Sequence, residues 1–148
     1  MSELSKYTLT KDQIDNLAAQ AKKHRDARLI DTMYYLASRV GETVTLTRRQ
    51  LIPDHRPPRV EFPDRQNSTE GIIPLTNELL FSDLQRLAKQ GQTIYCFESR
   101  QSGHISTRQA QRIIEQLGYQ ADIDHQAPSK SNLTPHLLRH SRARHLKD

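Results

Sequence analysis

At 148 residues the chain has the length of one domain and is too short for two of ordinary size. Its hydrophobic fraction of 34% supports only a modest core, and its formal net charge of +5 favours a polyanionic partner over a basic one. A single cysteine, Cys96, excludes an internal disulfide; no apolar run has membrane-spanning length, and the first residues lack a signal-peptide core, so the expectation is a cytoplasmic protein with no membrane partner.

The first helix is expected over residues 8–24. Thr10 suits its N-cap, Asp12 and Gln13 its first turn, and Ile14, Leu17, Ala18 and Ala21 recur at helical spacing. The basic run Lys22 to Arg25 closes it. A second apolar helix follows over 26–38, carrying Leu29, Ile30, Met33, Tyr34 and Leu36. Gly41 marks a break, after which a short helix with Thr43, Val44 and Leu46 ends near Leu51. Pro53, Pro57, Pro58 and Pro63 exclude helix from the next stretch. Arg59 to Phe62 reads as a strand, Asp64 to Glu70 as a turn, and Gly71 to Ile73 as the returning strand of a small ribbon.

Asn77 to about residue 90 reads as a helix with Leu79, Leu80, Leu84 and Leu87 buried and Gly91 as its stop. Thr93 to Phe97 is a short apolar segment. Ser106 caps another helix, with Ala110, Ile113, Ile114 and Leu117 inward and Gly118 as its end. Residues 119–132 are polar and without period. Thr134 and Pro135 then suit the N-cap and first position of a last helix that runs to the end. No repeat or low-complexity tract occurs. The fold class expected is mainly α with a small β ribbon.

Charge collects near the last helix: residues 129–148 hold Lys130, Arg139, Arg142, Arg144 and Lys147 against Asp148 alone. Such a cluster fits nucleic acid or a solvated basic tail. Within it His136, Arg139 and His140 share one helix face, with Leu137 and Leu138 turned to the core. Imidazole, guanidinium and the free amides of a helix N-terminus suit a phosphate oxyanion. His136 and His140 also have the spacing of zinc ligands. Position 137, however, is leucine where the zinc-protease motif needs glutamate, and no cysteine is near, so no metal is expected. Arg39 after an apolar helix, with Glu42 three residues on, reads by itself as a surface ion pair.

Taken together, these segments resemble the catalytic domain of the tyrosine recombinases, the phage integrase family. His136-Leu137-Leu138-Arg139-His140 after Thr134-Pro135 is similar to the family's box II, H-x-x-R-H. The stretch Leu36 to Leu46, with Arg39 and Glu42, is similar to its box I. Gly71-Ile72-Ile73-Pro74-Leu75 resembles the strand between the boxes. Tyr95 to Arg100 followed by Ile105 to Arg108 resembles the entry to the next helix. The resemblance covers about residues 8–148, and the order of four motifs is more specific than any one of them.

The resemblance implies a single catalytic-like domain over 1–148 with the DNA breaking–rejoining fold, acting on double-stranded DNA without a cofactor. In that family a tyrosine attacks a phosphodiester, and two arginines and a histidine stabilise the charged transition state. Carried over, Arg39 and Arg139 are the two arginines and His136 the histidine. His140 supports the helix or a phosphate, and Glu42 orients Arg39. Arg65, Lys130, Arg142 and Arg144 are expected DNA contacts.

Two departures bear on activity. The family's ribbon lysine aligns with Gln66, and no lysine occurs between Lys23 and Lys89; Arg65 binds phosphate but donates a proton poorly. The tyrosines Tyr7, Tyr34, Tyr35, Tyr95 and Tyr119 all precede box II, so the nucleophile's helix and the family's N-terminal DNA-clamping domain are expected to be missing. The leading expectation is a nucleoid-associated DNA-binding protein of recombination or integration with an incomplete active site. The alternatives are an active recombinase whose tyrosine comes from a partner chain or further segment, and an interaction protein that has lost DNA binding. A second copy or a full-length recombinase is the expected protein partner.

Overall fold

Thr10 begins the first helix as its neighbours predict. Its Oγ1 accepts the Gln13 backbone N–H at 3.1 Å, and its own N–H donates to Gln13 Oε1 at 2.8 Å. This reciprocal cap satisfies two donors that a helix start leaves orphaned. The structure, a computed structural model, describes residues 8–63, 65, 71–101, 103–121 and 135–147, without the side chains of Pro135, His136 and Lys147. Asp64, Gln66 to Glu70, Lys130 and Thr134 therefore lie outside the described residues.

Helix α1 spans Lys11–Ala19 and α2 spans His24–Leu36. The basic run 22–25 thus opens α2 rather than closing α1, because Lys23 turns extended at φ −99° and ψ 134°. α2 supplies the centre of the core through Leu29, Ile30 and Met33, each 0% exposed. On its flank Arg28 bridges Asp31 at 3.3 Å and Asp83 at 3.1 Å.

The break after α2 falls at Ala37, not at Gly41. Ala37 adopts the left-handed region at φ 48° and ψ 38° and stops the helix. Gly41 sits inside α3, Val40–Val44. A left-handed backbone costs a non-glycine residue about 1–2 kcal/mol, because Cβ crowds the following carbonyl. Glycine recovers most of this but has more freedom to lose on folding. Ala37→Gly is therefore expected to raise stability by about 1 kcal/mol, roughly 3 °C in a thermal melt. A lower melting temperature would mean that the Ala37 methyl contributes more by packing than its backbone costs.

Helix α3 ends at Val44, short of the expected Leu51. A 3-10 turn, Arg48–Gln50, and a strand β1, Leu51–Ile52, follow it. With β2, Arg59–Glu61, and β3, Ile72–Pro74, this makes an antiparallel sheet in the order β1-β2-β3, with Leu51 opposite Val60 and Val60 opposite Ile73. The expected two-stranded ribbon is therefore three-stranded. A two-residue strand is too short to show alternation in sequence.

Helix α4, Glu78–Gln90, is capped by Asn77 Oδ1, which accepts the Leu80 N–H at 3.1 Å. Its buried face is Leu80, Phe81, Leu84 and Ala88; Leu79, expected inside, is 80% exposed, and Leu87 is only partly buried. Phe81 is the largest apolar side chain on α4, and turning it inward sets the phase that leaves Leu79 outside. Helix α5, Thr107–Gln120, starts at Ser106, whose Oγ accepts the Gln109 N–H at 3.0 Å. Gly118 is buried within α5 and does not end it. Helix α6, Pro135–Lys147, inserts Leu137 and Leu138 into the core as expected. The result is a mainly helical fold with a small sheet, in which α2 lies against α1, α4, α5 and α6.

Candidate functional site

Helix α6 is fixed in place from three directions, which sets where its arginines point. Leu137 and Leu138 are buried, and Ser141, 0% exposed, accepts the Leu9 backbone N–H on its Oγ at 3.0 Å. His145 Nδ1 lies 2.6 Å from the Tyr34 hydroxyl of α2. Arg139 and Arg142, one turn apart, then face the C-terminal end of α2 and the strand β3.

Between these elements lies a cleft of about 430 Å³. Arg139, Arg142 and Arg65 line it, with Tyr35 and Thr76 beside them and the exposed Leu146 at one side. The guanidinium of Arg142 sits 5.2 Å and 5.1 Å from the centroids of the Tyr34 and Tyr35 rings. Cations over ring faces are attracted by the ring quadrupole, which braces Arg142 without neutralising it. Lys11 approaches the same tyrosines; burial acts to lower its pKa, but bonds to Asp15 and Tyr35 outweigh burial and hold it above its ordinary value.

Arg39 stands just beyond the strained Ala37, exposed at the N-cap of α3. Its carbonyl accepts the Thr43 hydroxyl at 2.8 Å, and Thr43 in turn lies 2.6 Å from the buried Ser38 hydroxyl. Its backbone N–H donates to Glu42 Oε1 at 2.9 Å. Glu42 therefore fixes Arg39 through the main chain, while its carboxylate pairs with a second arginine. Arg65 donates from Nε to Glu42 Oε2 at 2.8 Å and from Nη2 to Oε1 at 2.9 Å. The Arg65 guanidinium also stacks 4.4 Å from the Phe62 ring centroid. The bonds from Arg65 hold the Glu42 carboxyl below its ordinary value; burial opposes them, and the Arg39 N–H and both positive charges add to them.

One carboxylate thus joins the turn that carries Arg39 to an arginine of the cleft that Arg139 and Arg142 line. Arg39 itself does not line that cleft. Of the other expected site residues, His140 is half-buried on α6, and Arg144 is exposed and does not line the cleft. His136 belongs to α6 by its backbone, one turn before Arg139, but its side chain lies outside the described residues, as do Gln66 and Lys130. The sequence reading missed Tyr35, Ser141 and His145. The adjacent Tyr34 and Tyr35 at the end of α2 were the available signal for an aromatic brace.

Chemically, this arrangement offers fixed guanidinium groups to an anion with several oxygens. Charge-assisted bonds from arginine suit phosphate well because the fork can donate in pairs. Among the described residues no three His, Cys, Asp or Glu side chains gather to hold a metal, and no helix is long and apolar enough to cross a membrane. Burial pushes the Cys96 thiol up to about 12, which keeps it protonated and unreactive.

The family model described as "Phage integrase family" matches residues 7–148. No curated protein matches the chain. The solved structure titled "Crystal structure of XerA recombinase" has the same fold, with a TM-score of 0.71 and 24% identity over 95% of this chain and 49% of that one. The chain spans about half the length of that structure.

Proposed function

Because the chain belongs to the phage integrase family, we propose that it is a DNA-binding domain of recombination or integration that grips the duplex backbone with Arg39, Arg139 and His136. The observation that carries this reading is the cleft lined by Arg139, Arg142 and Arg65, with Glu42 linking Arg65 to the turn of Arg39. Three guanidinium groups around one cleft repel each other, and only Arg65 among them has a carboxylate partner in the described residues. A phosphodiester entering there would relieve that repulsion. Arg142 extends the contact along α6, and Lys130 and Arg144, the latter on a different side of α6, are further proposed contacts.

Nothing in the described site reads base edges, so the binding rests on counterion release. Affinity for a duplex is expected to fall with salt at a log–log slope of about −3 or steeper, one step of roughly 0.9 per phosphate contacted. Fluorescence anisotropy with a labelled duplex across a salt series measures it. A flat salt response, or no binding at low salt, would remove the proposal.

The strand-transfer chemistry is proposed to be incomplete in this chain. The sequence has no lysine between Lys23 and Lys89, and an arginine at 65 stays charged and cannot release a proton to a leaving oxygen. The second reading, an active recombinase using a tyrosine from a partner chain or further segment, is favoured by the presence of both an arginine at 39 and the His136-Leu137-Leu138-Arg139-His140 stretch in one chain. A suicide duplex that traps covalent protein–DNA species distinguishes the two. The proposed companions are a second copy or a full-length recombinase, and the proposed location is the nucleoid.

A further inference from the structure

The turn Arg48–Gln50 presents two adjacent exposed arginines on a locked backbone. Three bonds hold it. The Arg48 N–H donates to the Ile94 carbonyl at 3.0 Å, the Thr47 N–H donates to Gln50 Oε1 at 2.9 Å, and Gln50 Nε2 donates to the Glu61 carbonyl at 2.9 Å. Neither Arg48 nor Arg49 has an ion-pair partner among the described residues, whereas Arg28, Arg65 and Arg86 each face a carboxylate. Both residues are exposed, and the turn that carries them rests against α4.

Position gives this pair its meaning. The Gln50–Glu61 bond and the Glu42–Arg65 pair tie the same two stretches of chain, 42–50 and 61–65, side by side. The arginine turn therefore flanks the root of the ribbon whose Arg65 enters the cleft. From Arg39 the path runs through the five residues of α3 and four further steps, at most about 20 Å by helix and extended-chain rises. At roughly 3.4 Å of axis per phosphate on one strand, that distance stays within one short stretch of duplex.

We infer that Arg48 and Arg49 form a second contact surface for the DNA backbone, lengthening the footprint beyond the cleft. The inference rests on the DNA reading above. A rigid turn with paired, uncompensated guanidinium groups is suited to phosphates and carries no base-reading geometry, so it adds affinity for any sequence.

The test compares salt slopes of duplex binding for wild type, Arg48→Ala, Arg49→Ala, the double variant and a control, Arg86→Ala, whose arginine already faces Asp83. Each single change is expected to lower the slope by about one and the double change by about two, with thermal stability and the control unchanged. A double variant with the wild-type slope overturns the inference. If Arg139→Ala still weakens binding in that case, only the second surface is lost; if wild type binds no duplex at all, the DNA reading falls with it.

Discussion

Replacing Arg139 with alanine is expected to weaken duplex binding by about ten- to a hundredfold, the largest loss at any single position. Arg139 lines the cleft from α6, and the two leucines before it are buried, so its side chain starts from a fixed helix. A hydrogen bond to a charged group is worth about 1.5–3 kcal/mol, and truncation leaves the bound phosphate without that donor. The salt slope should fall by about one as well, since one phosphate is no longer neutralised. Folding is expected to change by no more than about 0.5 kcal/mol, because Arg139 is half-exposed and no ion pair of the described residues includes it. Arg139→Lys restores charge without the fork and is expected to recover only part of the affinity. Binding within twofold of wild type for the alanine variant would remove Arg139 from the contact.

The second large effect is on stability. Glu42→Ala removes the acceptor of three N–H donors at once: Nε and Nη2 of Arg65 and the backbone of Arg39. The side chains of Arg65 and Glu42 are 19% and 23% exposed, so the pair lies between a surface salt bridge and a buried one. Surface pairs contribute about 0–1 kcal/mol, and breaking buried ones costs about 3–5 kcal/mol. A loss of about 2 kcal/mol follows, or roughly 6 °C in melting temperature for a chain of this size. The pH dependence has a definite sign. Glu42 is held below its ordinary value, so its contribution is complete above the unfolded glutamate pKa near ~4.3 and is lost as pH falls through the lower folded value. The gap between wild type and variant is thus expected to be constant near neutrality and to close on acidification. Melting curves in which the gap widens towards acid would contradict the pairing.

Local chemistry was legible in the sequence. Thr10 with Gln13 and Ser106 each cap a helix where expected, and the helix expected from about residue 77 does begin there, with Asn77 as its cap. Leu137 and Leu138 are inward because period alone places them there. What failed depended on distant partners or on backbone geometry. Gly41 drew attention as a breaker, yet Ala37 carries the left-handed turn, which composition does not mark. Leu79 fits the apolar stripe of α4 but stays outside once Phe81 sets the phase. Glu42 was assigned to Arg39, three residues off, and its carboxylate does accept the Arg39 N–H; the sequence did not show that it also reaches Arg65, twenty-three residues on, which only folding brings near. Arg142 and Arg144 look equivalent in sequence. Two residues apart on a helix is more than half a turn, so one lines the cleft and the other faces away.

The bond from Leu9 to Ser141 has a consequence for the order in which the molecule becomes competent. Its partners are 132 residues apart in sequence, so the segment around Leu9 waits for α6 before its buried amide finds an acceptor. Arg39 leaves the ribosome well before Arg139, by roughly 5–20 s at ordinary translation speeds of about 5–20 residues per second. During that interval a nascent chain carries Arg39 without the helix that bears Arg139, so the proposed phosphate contacts are complete only after α6 has docked.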